Sequence, residues 1–336
     1  MILAGDVGGT KTSVGLFEEI AGTLQLAREE QYQNNEFESF EGILQRFVSA
    51  AGRPRLTAAC FGIAGPIIDG RVQMLNLPWS MDAAALAASL GVRYVRLLND
   101  LEAAAYGMLH LAPEQFQELS PGTLPRRRGN VGLIAAGTGL GEGLLCWDGS
   151  EYHPFASEGG HVDFAPWNDL GIDLLRYLQS MLGGHVSYER VLSGPGLLNI
   201  YRFLRDTGRA KEPAALRRLL AEGDQAATIS SCALTGEYPI CGVALDVFVS
   251  IYGAEAGNLA LKGLTLGGLY VGGGIAPKIL TKLTDGTFMR SFLAKGRRSE
   301  LLSQVPVAVA LDSRAAQIGA AHFARRPGVY LRREPT

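Results

Sequence analysis

Cysteine is scarce in this chain of 336 residues. Its four cysteines, Cys60, Cys146, Cys232 and Cys241, show neither paired metal-ligand spacing nor the density of a disulfide scaffold, so a reducing, cytoplasmic compartment is expected. A basic excess is also missing: 31 Lys and Arg against 33 Asp and Glu give a net charge of -2. No global positive field exists for a phosphate backbone, and nucleic acid is not an expected partner. The run Arg126-Arg127-Arg128 follows Pro121-Gly122 and Pro125 and reads as a solvated loop. Met1-Ile2-Leu3-Ala4 meets Asp6 and a glycine pair too soon for an export signal. Apolar stretches elsewhere are broken before the roughly eighteen residues of a membrane span, so no membrane association is expected. Two nucleotide motifs are missing as well. Lys11 is preceded by Thr10, outside any P-loop string, and Gly272-Gly273-Gly274 lacks the third glycine of a dinucleotide fingerprint.

What is present is length and apolar content, 47%, enough for two packed domains. Ile2–Gly5 and Ser13–Phe17 flank Asp6-Val7-Gly8-Gly9-Thr10-Lys11, the pattern of two strands joined by a glycine turn. A helix is expected over Phe37–Ala51 and a strand over Ala58–Ile63, followed by turns at Ala64-Gly65-Pro66 and Asp69-Gly70. Ser80 is placed to cap an alanine-rich helix ending at Gly91, and Tyr94–Leu98 resumes as a strand with Asn99 and Asp100 at its tip. Val131–Ala136 followed by Gly137-Thr138-Gly139-Leu140-Gly141 repeats the opening arrangement, which implies two related α/β halves. The second half turns helical, with Leu170–Leu182 and Gly196–Leu204. A last strand, Thr265–Val271, runs into Gly272-Gly273-Gly274, and Pro277 is suited to the first position of a helix.

Each group that could carry chemistry has an ordinary structural alternative. A glycine turn lets backbone N–H groups face an anion, and two such turns can hold a nucleoside triphosphate, although each alone is equally a simple hairpin. Asp6 can hold hydrated magnesium or bond its own turn. Asp100 can take the proton from an attacking hydroxyl, while Asn99 and Glu102 also satisfy a capping box. In Ser157-Glu158-Gly159-Gly160-His161-Val162-Asp163, an acid and an imidazole suit hydroxyl recognition more than zinc, for no second His or Cys lies at ligand spacing. Glu189, after Ser187 as a candidate N-cap, is a further acid, and His185 reads as a turn residue.

Five stretches, in order, resemble the bacterial glucokinase family: Gly5-Asp6-Val7-Gly8-Gly9-Thr10, Leu98-Asn99-Asp100, Ala136-Gly137-Thr138-Gly139-Leu140-Gly141, Glu158-Gly159-Gly160-His161-Val162-Asp163-Phe164-Ala165-Pro166, and Glu189-Arg190-Val191-Leu192-Ser193-Gly194-Pro195-Gly196-Leu197. The resemblance covers most of the chain. It implies a two-domain α/β, ribonuclease-H-like (actin-like ATPase) fold with an interdomain cleft, residues 1–111 plus 312–336 forming the small domain and 112–311 the large one. It also implies a homodimer that phosphorylates the 6-hydroxyl of glucose with ATP and Mg2+. Asp100 then becomes the general base, and Asn99, Glu158, His161 and Glu189 join it around the sugar. Gly8, Gly9 and Thr10 match the first phosphate turn, with Asp6 a candidate for magnesium through water; Gly137, Thr138 and Gly139 match the second, and Gly272, Gly273 and Gly274 the adenosine position. Lys11 stands where some members have Asn, and Asn76 in Asn76-Leu77-Pro78-Trp79 is a weaker sugar-side candidate.

Two rivals remain at this stage. ROK-type kinases of other hexoses carry a cysteine-rich zinc motif soon after the corresponding His, whereas this chain has Val162-Asp163-Phe164-Ala165-Pro166-Trp167. A non-catalytic sugar-sensing regulator would be expected to bring a DNA-binding segment, and here the first strand is expected from residue 2. The glycine turns do not choose among ATP, ADP and polyphosphate as donor.

Overall fold

The computed structural model describes the chain except for residues 75–76, 123–127, 156 and 327–336, so Asn76, Arg126 and Arg127 lie outside the described residues. The chain forms two compact units, Met1–Pro113 with Tyr152–Ala156 and Arg314–Thr336, and Glu114–Glu151 with Ser157–Ser313.

The first unit opens with β1 (Ile2–Val7), β2 (Lys11–Ile20) and β3 (Thr23–Gln33), an antiparallel meander with Val7 opposite Thr12 across the glycine turn. The strand β3 has no counterpart in the sequence reading; its residues alternate between exposed and half-buried at the sheet edge, without an apolar stripe to announce it. The helix α1 (Phe40–Ala50) starts three residues later than expected because Ser39 accepts the Gly42 N–H. Its Phe40, Ile43, Leu44 and Phe47, spaced for one helical face, enter the core with Leu3 and Phe61. The strand β4 (Ala58–Ile63) has the expected limits, and β5 (Arg71–Gln73) pairs with β6 (Ser80–Asp82). Ser80 therefore lies in a strand, and Asp82 is the residue that caps α2 (Ala83–Leu90), accepting from Ala84 and Ala85; Gly91 ends the helix left-handed, as expected. A carboxylate one residue before the alanine run outcompetes a hydroxyl three residues before it.

β7 (Val95–Asn99) completes a sheet of order β3–β2–β1–β4–β7, in which β1, β4 and β7 are parallel, and α3 (Asp100–Met108) follows directly. Parallel strands end at one edge. Val7, Ile63 and Asn99 stand level there, which brings the glycine turn and Asp100 to the same end of the sheet.

In the second unit, β8 (Phe116–Ser120), β9 (Val131–Ala136) and β10 (Leu140–Trp147) precede β11 (Tyr152–Phe155), which belongs to the first unit. The helices α4 (Asp169–Leu182), α5 (Gly194–Asp206), α6 (Ala214–Ala221), α7 (Gln225–Thr235) and α8 (Pro239–Gly263) follow. After β12 (Gly268–Gly272) come three short helices, α9 (Leu280–Leu283), α10 (Thr287–Leu293) and α11 (Ser299–Leu302), then β13 (Val307–Ala310); the last helix, α12 (Ala315–Ala324), belongs to the first unit, where it packs on α3 through Ala103, Ala316 and Ala320. The expected strand from Thr265 begins only at Gly268, and Pro277 falls in a 3-10 turn, Ala276–Ile279, ahead of α9. β9, β12 and β13 are parallel, with β10 antiparallel to β9 and β8 antiparallel to β13, so this unit repeats the plan of the first: a glycine-turn hairpin beside parallel strands. Length and apolarity would let α8 cross a membrane, contrary to the expectation that no stretch qualifies; in this fold it is mostly buried, supplying Ala244, Leu245, Phe248 and Tyr252 to the core.

Candidate active site

In the first unit the glycine turn is fixed from behind. Gly8 N–H donates to Lys11 O at 3.0 Å, and Asn34 does the rest: its N–H reaches Thr10 O at 2.9 Å, its Nδ2 donates to Gly8 O at 2.8 Å, and its Oδ1 accepts from Thr12 Oγ1 at 2.8 Å. Asn34 and Thr12 are buried, whereas Gly8 and Gly9 are half-buried and Thr10 and Lys11 exposed. The side of the turn away from Asn34 is thus open to a ligand. Asn34 was not singled out from the sequence, since it reaches the turn only because β3 folds back beside β2.

Asp100 is the first residue of α3, half-buried, and Asn99 is its N-cap. The capping box is formed: Leu101 N–H donates to Asn99 Oδ1 at 3.0 Å, and Glu102 Oε2 accepts Asn99 N–H at 2.9 Å. Asn99 Nδ2 also donates to Gly65 O at 3.2 Å, leaving one amide hydrogen and one lone pair for other partners. Leu101 N–H is shared with Asp100 Oδ1 at 2.9 Å. Asp6, at the end of β1, is pushed up to about 7, first by burial and then by the negative charge of Asp100. Two carboxyls of like charge near one half-buried strand end are a donor set that a hydrated divalent cation would neutralise.

In the second unit, Gly137 N–H donates to Gly139 O at 2.8 Å, and Gly137 O accepts Gly194 N–H from the start of α5 at 2.9 Å. Tyr252, fully buried on α8, staples the strands that lead into the two glycine segments. Its hydroxyl accepts Ala136 N–H at 3.1 Å and lies 3.3 Å from the carbonyls of Ile134 and Gly272. With Ala135 level with Gly272, the Gly137–Gly139 turn and Gly272-Gly273-Gly274 leave the sheet at the same end, Gly273 and Gly274 being exposed.

Glu189 does not serve a helix dipole through Ser187, whose side chain caps nothing. It sits in the 3-10 turn Tyr188–Arg190, and its Oε2 accepts Leu140 N–H at 3.1 Å. A Cβ on Gly139 would lie 2.5 Å from that oxygen, so glycine is required for the carboxylate to reach the turn. Glu158 and His161 both project outward, exposed, with Oε2 and Nε2 3.9 Å apart. His161 N–H donates to Glu158 O at 3.0 Å within their 3-10 turn, and Tyr188 N–H reaches Val162 O at 3.0 Å, tying that turn to the one bearing Glu189. His185 contacts Asp163 at 3.0 Å and belongs to the surface of this segment. The second unit thus gathers Gly137, Thr138, Gly139, Glu158, His161 and Glu189 around the start of β10, and the first gathers Asp6, Gly8, Gly9, Thr10, Asn99 and Asp100 around one sheet end.

The family model described as Glucokinase matches residues 3–327. A glucokinase of Nostoc sp. strain PCC 7120 is 40% identical over 344 residues, covering 97% of this chain and 99% of its own. Among solved structures, a glucokinase from an Antarctic psychrotroph superposes with a TM-score of 0.83 at 30% identity, over 96% of this chain and 98% of its own. A ROK family glucokinase from Streptomyces griseus, solved with glucose and AMPPNP, shares the fold at a TM-score of 0.64 and 23% identity, over 96% and 99% of the two chains. The fold is the two-domain α/β arrangement of actin-like ATPases.

Proposed function

Because this chain belongs to the glucokinase family and is an ATP-dependent glucose kinase, we propose that Asp100 is the general base that takes the proton of the glucose 6-hydroxyl. The observation that carries the assignment is the position of Asp100. It is half-buried at the end of a parallel strand, on a helix start whose cap is already satisfied by Asn99 and Glu102. The helix start that bears the carboxylate is therefore fixed by its neighbours, which holds the group in one place, as a base that must meet one hydroxyl requires.

The turns Gly8–Thr10 and Gly137–Gly139, each closed by the N–H of its first glycine, turn their following N–H groups to the phosphates of the donor, and Gly272–Gly274 lies where the adenosine is expected. Glu158, His161 and Glu189 take the remaining sugar hydroxyls, carboxylates accepting and imidazole donating or accepting. Asn99 adds its spare amide hydrogen. Asp6 fits a hydrated Mg2+, which when bound would neutralise phosphate charge, as it does in phosphoryl transfer generally. The γ-phosphoryl passes in line to the hydroxyl, and no covalent protein intermediate is needed. Four free cysteines, three of them buried, support the expectation of a reducing cytoplasm; a homodimer completes the reading.

A coupled assay for glucose 6-phosphate tests this, run on purified protein with ATP, ADP and polyphosphate in parallel and with mannose, fructose and N-acetylglucosamine beside glucose. Turnover with ATP, fastest on glucose and at most weak on mannose, is the expected result. Preference for another sugar would favour the ROK-type alternative, and glucose binding without turnover the sensing one.

A further inference from the structure

Beneath the segment that carries Glu158 and His161 lies a buried polar cluster that the phosphorylation reaction does not itself call for. Glu142, on β10 two residues past Leu140, is 2% exposed, and Glu255, on α8, is fully buried. The two carboxyls are neighbours, and Glu142 Oε1 has no hydrogen-bond donor among the described residues. Even with the Lys262 ammonium beside Glu255, two buried carboxyls lie together in that way at least cost when one carries a proton and donates it to the other. Glu255 is the fixed member: its Oε1 accepts from Lys262 Nζ at 3.1 Å and its Oε2 from Asn258 Nδ2 at 2.7 Å. Glu142 is therefore the member that holds the proton, and burial next to Glu255 pushes it up to about 8.

The cluster has two outlets, and both lead to the sugar side. Glu142 Oε2 occupies the space where a Cβ on Gly159 would stand, so its carboxyl is wedged under the backbone between Glu158 and His161. Asn258 Nδ2 also donates to Tyr188 Oη at 3.1 Å, and Tyr188 immediately precedes Glu189. We propose that Glu142 is a positioning residue for glucose: as the protonated partner of Glu255 it sets the height of the Gly159–Gly160 turn, and with it the places of Glu158 and His161. This rests on the sugar-side reading of those two residues. The groups that face the acid pair are Lys262 and Tyr252 from α8, Tyr188 from the 3-10 turn that also bears Glu189, and Lys295 after α10, which bonds Asn258 Oδ1 at 2.5 Å. Loss of the Glu142 proton would set two carboxylates against each other in a water-poor site and drive Glu142 into Gly159.

The test is steady-state kinetics with glucose and ATP from about pH 7 to about pH 9 on the parent, E142A, E142Q and H161A. Glucose KM of the parent should climb as the pH passes about 8, while ATP KM stays level. E142A should raise glucose KM about tenfold with kcat within about threefold, since a displaced binding group weakens the sugar grip before it touches the base. E142Q, whose amide donates the same hydrogen bond and cannot ionise, should return KM to within about twofold of the parent at pH 7 and hold it flat to pH 9. An unchanged glucose KM in E142A, or an E142Q profile that climbs like the parent's, overturns the proposal. If E142A yields no folded protein, the E142Q profile decides alone by the same criterion. H161A separates the two readings: if it leaves glucose KM unaltered, the sugar-side assignment itself fails; if it raises KM while Glu142 variants do not, only the role of Glu142 falls.

Discussion

Replacing Asp100 by Asn isolates the catalytic carboxylate from its structural surroundings. The helix start should survive, because Asn99 and Glu102 form the capping box and an amide oxygen at position 100 can still accept Leu101 N–H, now received at 2.9 Å. What is lost structurally is one negative charge in the first turn of α3, worth about 0.3–1 kcal/mol. For domains of this size that corresponds to a fall in melting temperature of roughly 1–4 °C. The chemical loss is of another order: a general base contributes about a hundredfold to ten-thousandfold, or roughly 3–5 kcal/mol of transition-state stabilisation. The glucose 6-phosphate assay should therefore show kcat reduced by at least two orders of magnitude in a protein that melts almost like the parent. A second readout comes from Asp6. Its elevation to about 7 is due first to burial and second to the Asp100 charge, so in D100N a carbon-13 NMR titration should find Asp6 lower but still above an ordinary carboxylate. A D100N protein that keeps more than about a tenth of parental kcat at saturating glucose would refute the base assignment.

Asn34→Ala removes the clamp behind the first glycine turn, leaving Gly8 O and Thr12 Oγ1 without their partner; unfolding by urea should show a loss of about 2–4 kcal/mol, and ATP KM should rise severalfold while glucose KM moves less. Tyr252→Phe strands the buried Ala136 N–H, and a loss of about 1–3 kcal/mol is expected by the same measurement. His110 and His322 stack at 3.6 Å between ring centroids, and desolvation of the stacked rings, helped by the positive charge of Arg325, lowers them to about 3 and about 4. An unfolded chain binds protons on both histidines below about pH 6.5 while the folded chain does not, so their contribution is present above that pH and drains away as pH falls toward 4. Differential scanning fluorimetry should show the melting temperature dropping between about pH 7 and pH 5, and the drop should shrink in a His110→Asn, His322→Asn double variant.

How much of this was legible beforehand depended on whether the determining interaction was local. The glycine turns, the limits of Ala58–Ile63 and Val131–Ala136, and the Asn99–Glu102 box could be read because each is settled within a few residues by backbone freedom, a short continuous apolar run or a cap. The cap of α2 falls on Asp82 and not on Ser80 because Ser80 is taken up by a short strand pairing with Gln73, a contact no local pattern announces, while Asp82 stands next to the alanine run. Glu189 was visible as an acid, but its bond to Leu140 N–H spans 49 residues and depends on Gly139 having no Cβ.

Alone, the sequence determined the two glycine turns, the strands Ala58–Ile63 and Val131–Ala136 and the capped start of α3, for a turn needs its glycines and a helix its cap whatever surrounds them. Only the tertiary structure decided that Asn34 stands behind the first phosphate turn, that Tyr252 ties β9 to β12, and that Glu142 meets Glu255. Those contacts join polar groups far apart in the chain, and burial, which no local pattern encodes, is what makes each of them specific and costly to break.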